Sequence, residues 1–558
     1  MTNKISAGLL LALFAILYLL PLQGHPLFIP DETRYAEIPR EMVASGDWIV
    51  PRLNGLRYFE KPVMGYWLSA ISLSTLGENR FAVRLPSALS TGFAALLVFY
   101  ICASCYGRNS RLPRLATFVY LSTFGVMTIA GLAILDTPLT LFLTATLILF
   151  FKASEEPAGS SRERLFLLGA GFFAGFAFLT KGFLAFAVPV LVVAPYLLWQ
   201  RRRPDLIRML VLPVIGALVV SLPWALLIHQ REPDFWNYFF WHEHVHRFLS
   251  EKAQHAKPFY YFLLVLPAMF MPWTMLLPAA ITGAVKNRKK QSGAKKRLLT
   301  FCSCWFLFPL LFFTSSSGKL LTYILPCFPP LAILFSYTML QWLDIGFAKR
   351  NFIQWAIGIS ITLLSLILLA ISGLQLFGPE HLWIFDQPWK WLLLVGSISA
   401  MLLLLFRAFR NTQELQKIFL FGISFAILLF TIQFTIPTQS LDRKAPGPFL
   451  SRHAAKISAD TFVISGQDVV RAVCWYLKRD DIYLLSTAGE LSYGVKNDDN
   501  KAGRLLTTAE ASAFINKNRG RIVLISDLKT YDIYLQPLLP EPVSVHSSSD
   551  EGYLLIYY

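Results

Sequence analysis

The residues best suited to chemistry lie between positions 30 and 66, directly after the first long apolar segment. They form a dense group of carboxylates, cations and tyrosines: Asp31, Glu32, Arg34, Tyr35, Glu37, Tyr58, Glu60, Lys61 and Tyr66. Guanidinium and ammonium groups can hold a phosphate, while carboxylates and phenols can move a proton beside it. A group with both signs of charge favours chemistry on a phosphate-bearing molecule over simple anion capture. The alternative is a loop whose charges only face water.

Further ionisable residues occur at the ends of later apolar segments. An ionisable side chain at membrane depth is costly and therefore marks a pathway or a site. Asp136 precedes Thr137 and Pro138, so a helix N-cap is an equally open explanation for it. We expect the cations of these regions to converge on an anionic head group. They are Arg34, Lys61, Lys181, Arg247 and Lys319.

The composition is that of a membrane protein. Of 558 residues, 55% are hydrophobic and only 15% are charged, which is far more apolar than a soluble domain. The net charge of +17 would suit nucleic acid. However, the Lys and Arg residues cluster in short loops between apolar segments, as the positive-inside bias requires. We therefore predict membrane lipids as partners and no nucleic acid.

Apolar stretches of sufficient length predict about thirteen transmembrane helices. They lie near 7–23, 84–104, 113–131, 136–153, 165–180, 182–199, 209–228, 259–283, 298–314, 320–342, 353–375, 389–406 and 418–436. The basic loops all fall on the side of the N-terminus, which the charge bias makes cytoplasmic. The loops 24–83 and 229–258 and the chain from 438 onward are then predicted on the opposite side.

The sequence predicts two domains, with a boundary near 437. Residues 1–437 form an α-helical polytopic membrane domain, and residues 438–558 form a small α/β domain. Strands are predicted at 462–465, 482–485, 521–525 and 553–557, and a helix at 506–518 with a threonine cap and Glu510 close behind. Because this domain lacks a glycine-rich phosphate loop, we expect it to have a structural or docking role.

Several long motifs make the chain recognisable. They are Pro-Asp-Glu-Thr-Arg-Tyr-Ala-Glu-Ile at 30–38, Gly-Leu-Arg-Tyr-Phe-Glu-Lys-Pro at 55–62, Thr-Lys-Gly-Phe-Leu-Ala at 180–185, Gly-Lys-Leu-Leu-Thr-Tyr-Ile-Leu at 318–325 and Gly-Glu-Leu-Ser-Tyr-Gly at 489–494. With them the chain resembles the membrane glycosyltransferases that add 4-amino-4-deoxy-L-arabinose to lipid A, glycosyltransferase family 83. The resemblance runs through nearly the whole chain. It implies a GT-C type fold in the bacterial inner membrane, with the active site and the C-terminal domain facing the periplasm.

The resemblance also implies substrates and site residues. The donor would be undecaprenyl phosphate-aminoarabinose and the acceptor lipid A, and the modification would confer polymyxin resistance. Asp31 is the implied catalytic carboxylate, with Asp136 as a second candidate. The polyprenyl phosphate would be surrounded by Arg34, Tyr35, Tyr58, Lys61 and Arg247. The same cavity would be bordered by Lys181 and Tyr323, and Lys319 is a further predicted substrate contact.

The resemblance implies a divalent metal such as zinc, held by Glu60 and a histidine of the 242–255 stretch. Of these histidines His244 is the one predicted, ahead of His242, His246 and His255. Glu60 and His244 do not complete a tetrahedral zinc site, so water or substrate phosphate would have to supply the rest. The alternative is that Glu60 is paired with a neighbouring cation.

Two other functions remain open from the sequence. Protein O-mannosyltransferases share the first acidic motif and the architecture, so a different sugar or acceptor is one alternative. A lipid flippase or transporter is the other. Repeated broken helices would support a transporter, but the motifs show no internal duplication.

Overall fold

The computed structural model describes residues 6–246, 256–286, 292–344, 351–379, 383–497, 503–548 and 552–558, with the backbone alone at 242–246 and 351. Within these ranges, nine helical stretches are long and apolar enough to cross a bilayer. They are Arg80–Tyr106, Asp136–Glu155, Ser161–Lys181, Asp205–Arg231, Gly293–Ser315, Leu321–Leu343, Phe352–Phe377, Pro388–Arg410 and Glu414–Ile432. The predicted polytopic α-helical membrane fold is confirmed.

The other predicted spans correspond to bent or short helices. The bent pairs are Arg111–Leu121 with Phe124–Ala130 and Tyr261–Met269 with Trp273–Lys286. If each pair crosses once, the described ranges contain as many as eleven spans. Two shorter apolar helices, Ala7–Gln23 and Leu184–Trp199, coincide with the remaining predicted stretches.

The described parts of the chain form two compact units. The first comprises Met1–Leu22, Ser87–Ala225 and His244–Thr435, and the second comprises Gln23–Pro86, Leu226–Glu243 and Ile436–Tyr558. The second unit thus groups the polar loop after the first helix with the C-terminal segment, a division that differs from the linear boundary near 437.

Close helix packing in the first unit depends on glycine. A Cβ atom added to Gly171 would lie 2.0 Å from the carbonyl oxygen of Pro213, and one added to Gly216 would lie 2.3 Å from that of Leu168. The backbones of two helices therefore touch where neither carries a side chain, as is common between membrane helices. Elsewhere in this unit, Phe301 packs against Phe151 and Tyr196, with ring centroids 5.2 and 5.0 Å apart.

One helical hairpin in the first unit positions two predicted site residues. Asp136–Glu155 and Ser161–Lys181 pack along each other and are joined by a short connection. Ser160 caps the second helix, because its hydroxyl accepts a hydrogen bond from the N–H of Glu163 at 3.1 Å. Since the two helices run in opposite directions, the start of the first meets the end of the second.

The second unit is built around a six-stranded sheet. In spatial order the strands are Leu505–Leu506, Tyr483–Leu485, Phe462–Ser465, Ile522–Asp527, Tyr553–Tyr557 and Ser544–Ser547. The first four are parallel, and the last two join antiparallel. The predicted α/β domain is therefore confirmed. Its helix Thr508–Lys517 begins with a reciprocal capping box between Thr507 and Glu510, as the sequence predicted.

Shorter elements complete the second unit. They are the helices Asp31–Ser45, Met64–Leu76, Thr438–Lys444, Gly447–Ala454, Val470–Leu477 and Ser492–Asn497, the paired strands Arg52–Leu53 and Leu56–Arg57, and the first part of the helix Asn237–His246. Helix Asp31–Ser45 packs against Met64–Leu76 and Val470–Leu477. This packing joins the polar loop to the C-terminal segment.

Candidate active site

Helix Asp31–Ser45 carries three of the predicted site residues in its first turns. Asp31 and Glu32 begin the helix, where negative side chains complement the positive end of the helix dipole. The helix ends at Gly46, whose φ of +72° suits glycine and whose N–H donates to the carbonyl of Met42 at 3.0 Å. Arg34 and Tyr35 are buried, whereas the side chain of Asp31 is 57% exposed.

Glu32 serves as an anchor for this helix. Its carboxylate accepts two hydrogen bonds from the fully buried Arg84, at 2.6 and 2.8 Å. Arg84 also donates to the carbonyls of His25 and Pro26, at 2.9 Å each. Burial acts to raise the pKa of Glu32, but the charge and hydrogen bonds of Arg84 outweigh it and hold the pKa below its ordinary value. The carboxylate of Glu32 therefore has a structural role.

A second buried group lies further along the same helix. Arg40 donates to both carboxylate oxygens of Glu37, at 2.8 and 2.6 Å. Glu41 accepts from the N–H of Gly55 at 3.0 Å, while its other oxygen has no hydrogen-bond partner among the described residues. Burial raises the pKa of Glu41 to about 7 and that of Glu37 well above its ordinary value. These two carboxyls are therefore protonated more readily than free ones.

Arg34 and Tyr58 converge on a single carboxylate, that of Glu490. Arg34 Nη2 lies 2.9 Å from Glu490 Oε1, and the Tyr58 hydroxyl donates to Glu490 Oε2 at 3.0 Å. Arg471 Nη2 donates to the same Oε2 at 2.6 Å. The carboxylate of Asp31 is 3.6 Å from Arg34 Nη2. We call Arg34, Tyr58, Arg471 and Glu490 the arginine–glutamate cluster.

The arginine–glutamate cluster has more donors than it uses. Within the described chain, Arg34 Nε and Arg471 Nε have no hydrogen-bond partner, and neither has the hydroxyl of the buried Tyr66, which is not a member of the cluster. Burial acts to raise the pKa of Glu490, but Arg34 and Arg471 outweigh it and lower that pKa, so the carboxylate stays charged at neutral pH. Burial raises the pKa of Tyr58 well above its ordinary value, so this phenol remains a donor. The cluster is therefore equipped to hold an anion.

A tight hairpin positions Tyr58. Arg52–Leu53 pairs with Leu56–Arg57 across Asn54 and Gly55, whose φ values of +58° and +67° fit a two-residue turn of this sequence. The buried side chain of Asn54 donates to the carbonyl of Ile482 at 2.7 Å and accepts from its N–H at 2.9 Å. Because the amide of Asn54 forms hydrogen bonds with both the N–H and the carbonyl of Ile482, it fixes the hairpin to the C-terminal segment.

The motif at 489–494 owes its two glycines to this arrangement. Gly489 has a φ of +51°, which places it in the left-handed region directly before Glu490. A Cβ atom added to Gly494 would lie 2.7 Å from the carbonyl oxygen of Arg57. Both glycines therefore let the segment bring Glu490 against the hairpin.

The structure places Lys61 and Glu60 next to this hairpin. Lys61 is half-buried, and its ammonium donates to the carbonyl oxygen of Glu60 at 2.9 Å. Glu60 is buried, with 6% exposure. The ring of Tyr35 lies 5.8 Å from the guanidinium carbon of Arg34 and 6.0 Å from the ring of Tyr66. These residues all belong to the second unit.

A separate group of predicted residues lies in the first unit. Lys181 Nζ donates to Asp136 Oδ1 at 2.7 Å and sits 5.1 Å from the ring centroid of Tyr323. Both charged side chains are largely buried. The N-cap position of this helix is Leu135, so Asp136 does not act as the cap that the Thr-Pro sequence left open. Its carboxylate is an ion-pair partner instead.

Backbone carbonyls hold the ammonium of Lys319. This residue is buried, and its ammonium donates to the carbonyls of Lys257 and Ser316. Ala256 and Gly318 form a β-bridge beside it. These contacts give Lys319 a structural role that the sequence did not indicate, and its predicted substrate contact stays a prediction.

Two predicted residues cannot be placed. Arg247 lies outside the described residues. His244 lies in the helix Asn237–His246, but its side chain is outside the described part. Among the side chains that the structure describes, no group of three or more His, Cys, Asp or Glu could hold a metal ion. The metal at Glu60 and His244 therefore stays a prediction.

Sequence reasoning missed Glu490 and Arg471 as members of the site. The C-terminal domain was expected to have a structural or docking role, yet it supplies the carboxylate held by Arg34 and Tyr58. The motif Gly489–Gly494 was the available signal, but nothing local in it indicates a partner 456 positions away.

Comparisons with known proteins cover the whole chain. A family model described as dolichyl-phosphate-mannose-protein mannosyltransferase matches residues 6–239, and one described as arabinosyl transferase ArnT, C-terminal domain, matches residues 441–556. The crystal structure of ArnT from Cupriavidus metallidurans bound to undecaprenyl phosphate has the same fold. Its TM-score is 0.79 at 24% identity, over 98% of this chain and 97% of that one.

Fold and comparisons together define the class as a multi-pass membrane glycosyltransferase of the GT-C type. The undecaprenyl phosphate-α-4-amino-4-deoxy-L-arabinose arabinosyl transferases of Shewanella sediminis and Pectobacterium carotovorum are each 38% identical to it, over 100% of this chain and 98% of theirs. The chain belongs to this family of arabinosyl transferases.

Proposed function

We propose that the protein transfers 4-amino-4-deoxy-L-arabinose from undecaprenyl phosphate to a phosphate of lipid A. The observation that carries this proposal is the arginine–glutamate cluster, in which buried guanidinium and phenol donors surround an oxyanion. Phosphate accepts hydrogen bonds from the same donors, and arginine suits it especially well. The family to which the chain belongs supplies the identity of the sugar and the lipid carrier.

The proposed reaction exchanges one bond for another at the anomeric carbon. The bond from this carbon to an oxygen of undecaprenyl phosphate breaks, and an oxygen of the lipid A phosphate forms the new bond. The acceptor is already anionic near neutral pH, so it attacks without full deprotonation by a base. The harder task is to bring two phosphates together. Positive charge from Arg34, Lys61 and Arg247 would stabilise the departing undecaprenyl phosphate.

Asp31 has an environment that suits contact with a substrate. Its side chain is largely exposed, and it lies 3.6 Å from the guanidinium of Arg34. In the proposed reaction it orients the acceptor, holds the ammonium of the sugar, or tunes Arg34. We propose that it is necessary whichever of these it does. Normal turnover by Asp31→Asn protein would contradict that necessity.

The remaining proposed contacts come from the first unit. Asp136, Lys181 and Tyr323 form one local group with an ion pair and an aromatic ring. We propose that this group also meets the substrates. The basic loops on the side of the N-terminus support a cytoplasmic N-terminus in the inner membrane, with the catalytic loops and the C-terminal domain in the periplasm. There, masking the charge of lipid A would confer resistance to polymyxin and to cationic antimicrobial peptides.

Mass spectrometry of lipid A tests this function. A polymyxin-sensitive strain that lacks its own transferase would be complemented with this chain or with its Lys61→Ala variant. We expect one added aminoarabinose per modified phosphate with the native chain and none with the variant. No gain, despite good expression and donor supply, would overturn the proposed substrates.

A second candidate is protein mannosylation. It is favoured by the match of residues 6–239 to the dolichyl-phosphate-mannose-protein mannosyltransferase model. The same strains distinguish it, because it predicts new mannose on proteins and unchanged lipid A.

A further inference from the structure

Glu490 occupies the donors that an incoming phosphate would need. Its Oε1 accepts from Arg34, and its Oε2 accepts from Tyr58 and Arg471. Arg34 and Tyr58 are the residues predicted to hold the polyprenyl phosphate. A carboxylate and a phosphate use the same donor groups, so both cannot hold Arg34 and Tyr58 in this geometry.

Arg471 can remain the ion-pair partner of Glu490 when the carboxylate leaves Arg34 and Tyr58. It is buried, with 5% exposure, and its other Nη donates to the carbonyl of Gln467 at 3.2 Å, which fixes it within the C-terminal segment. Its ion pair with Glu490 joins two residues of that same segment. Glu490 can therefore release Arg34 and Tyr58 and keep Arg471 as its counter-ion.

Donors that Glu490 does not use would favour replacement of its carboxylate by a phosphate. Arg34 Nε and the hydroxyl of Tyr66 are buried and have no hydrogen-bond partner among the described residues. An arriving phosphate, which has more acceptor sites than a carboxylate, can engage donors that Glu490 leaves unsatisfied. An unsatisfied buried donor is costly, so the exchange recovers free energy at those groups.

We propose that Glu490 is a displaceable counter-ion for the phosphate site. It neutralises Arg34 before the donor binds, moves onto Arg471 when the phosphate arrives, and returns after transfer to displace undecaprenyl phosphate. This inference rests on the proposed function, because it takes the phosphate site to be that of a polyprenyl phosphate. Glu490 and Arg471 act through Arg34 and Tyr58, so they are positioning residues.

The test measures binding of undecaprenyl phosphate to the purified full-length protein. Removal of the competing charge in Glu490→Gln should tighten binding, by about tenfold if one charge-assisted hydrogen bond is at stake. Arg471→Gln should weaken binding, because Glu490 then has only Arg34 and Tyr58 as partners and competes with the phosphate for both. Glu490→Asp, which keeps the charge, should stay close to the native affinity. Asp481→Asn, which breaks the pair of an exposed carboxylate with Arg479 in the same domain, is the matched control.

Kinetics give a second readout. Glu490→Gln should complete a first turnover and then slow, so that both kcat and KM fall, because product leaves slowly. Weaker binding in both Glu490→Gln and Arg471→Gln, or no change in Glu490→Gln, would overturn the proposal and leave a static structural role. If Glu490→Gln does not fold, Glu490→Ala removes the same charge and carries the same expectation.

The outcomes separate this inference from the proposed function. The binding measurement needs neither the sugar nor the acceptor. Suppose that affinity for undecaprenyl phosphate rises in Glu490→Gln and falls in Arg471→Gln, but lipid A gains no aminoarabinose. This result would support the counter-ion role of Glu490 and reject lipid A as the acceptor. A native protein that does not bind undecaprenyl phosphate would reject both.

Discussion

Lys181 donates a hydrogen bond to Asp136 at 2.7 Å and thereby joins the last residue of one membrane helix to the first residue of its antiparallel neighbour. The side chains are 15% and 12% exposed. A pair so placed can stabilise the hairpin, serve the reaction, or do both. Removal of one partner leaves a largely buried charge without its counter-ion, which typically costs about 3–5 kcal/mol.

A double-variant cycle separates the two roles. Asp136→Asn and Lys181→Met should each lower thermal stability in detergent and abolish sugar transfer. The double variant should recover most of the stability, because no unpaired charge remains, but it should stay inactive. Recovery of transfer in the double variant would show that the pair is only structural. Glu414→Gln, which breaks the buried pair with Lys417, is the control and should lower stability without loss of transfer.

Lys61 should be necessary for the rate of transfer. Its ammonium is half-buried and donates to the carbonyl of its neighbour Glu60 at 2.9 Å. One donor directed at developing charge is typically worth roughly 3–4 kcal/mol in the transition state, so Lys61→Ala should lose about a hundredfold or more in kcat. Lys61→Arg should retain part of the rate because it keeps the charge. Lys478→Ala, which breaks an exposed pair with Glu78, should transfer normally.

The sequence predicted those features that local pattern determines. Apolar length predicted the spans, and short apolar runs predicted the strands at 462–465 and 553–557. The Thr507 cap was also predicted, because a capping box lies within four consecutive residues. Each of these signals is complete within a short window of the chain.

The arrangement of the site could be predicted only in part. Arg34 and Tyr58 were identified by type, but their shared partner Glu490 comes from the far end of the chain. The ammonium of Lys319 is held by two backbone carbonyls, a contact that residue type alone does not predict, and its substrate contact stays a prediction. The partners of these side chains thus depend on contacts between distant parts of the chain and on backbone carbonyls, which residue type alone does not predict.

Glu41 should make stability depend on pH. Its pKa is raised from 4.5 to about 7 by burial first, with Asp480 acting in the same direction, while Gly55, Arg40 and Glu37 oppose the rise. Between these values the folded protein binds more protons than the unfolded chain. Stability therefore falls as pH rises from about 4.5 to about 7, by an amount on the order of 3 kcal/mol.

Thermal melting in detergent between pH 5 and pH 8 tests this expectation. Glu41→Gln should melt close to the native protein at the acidic end and above it at the alkaline end, because the amide never has to be charged. An unchanged difference between the two proteins across the range would contradict it. Glu510→Gln is the control, because it changes an exposed carboxylate whose pKa is lowered by its hydrogen bonds to Thr507. This variant should still lose stability as pH rises.

Zinc content tests the predicted metal at Glu60 and His244 without recourse to activity. Glu60 is buried, and a buried carboxylate needs a cation or hydrogen bonds near it. If the metal is bound there, elemental analysis of the purified protein should find zinc, and Glu60→Gln or His244→Ala should remove it. Two protein ligands leave coordination positions for water or phosphate, so strong chelators should strip the metal readily. His546→Ala, at an exposed histidine of the sheet, should keep it. Equal zinc in all variants would place the metal elsewhere, and native protein without zinc would leave Glu60 as a partner of neighbouring cations.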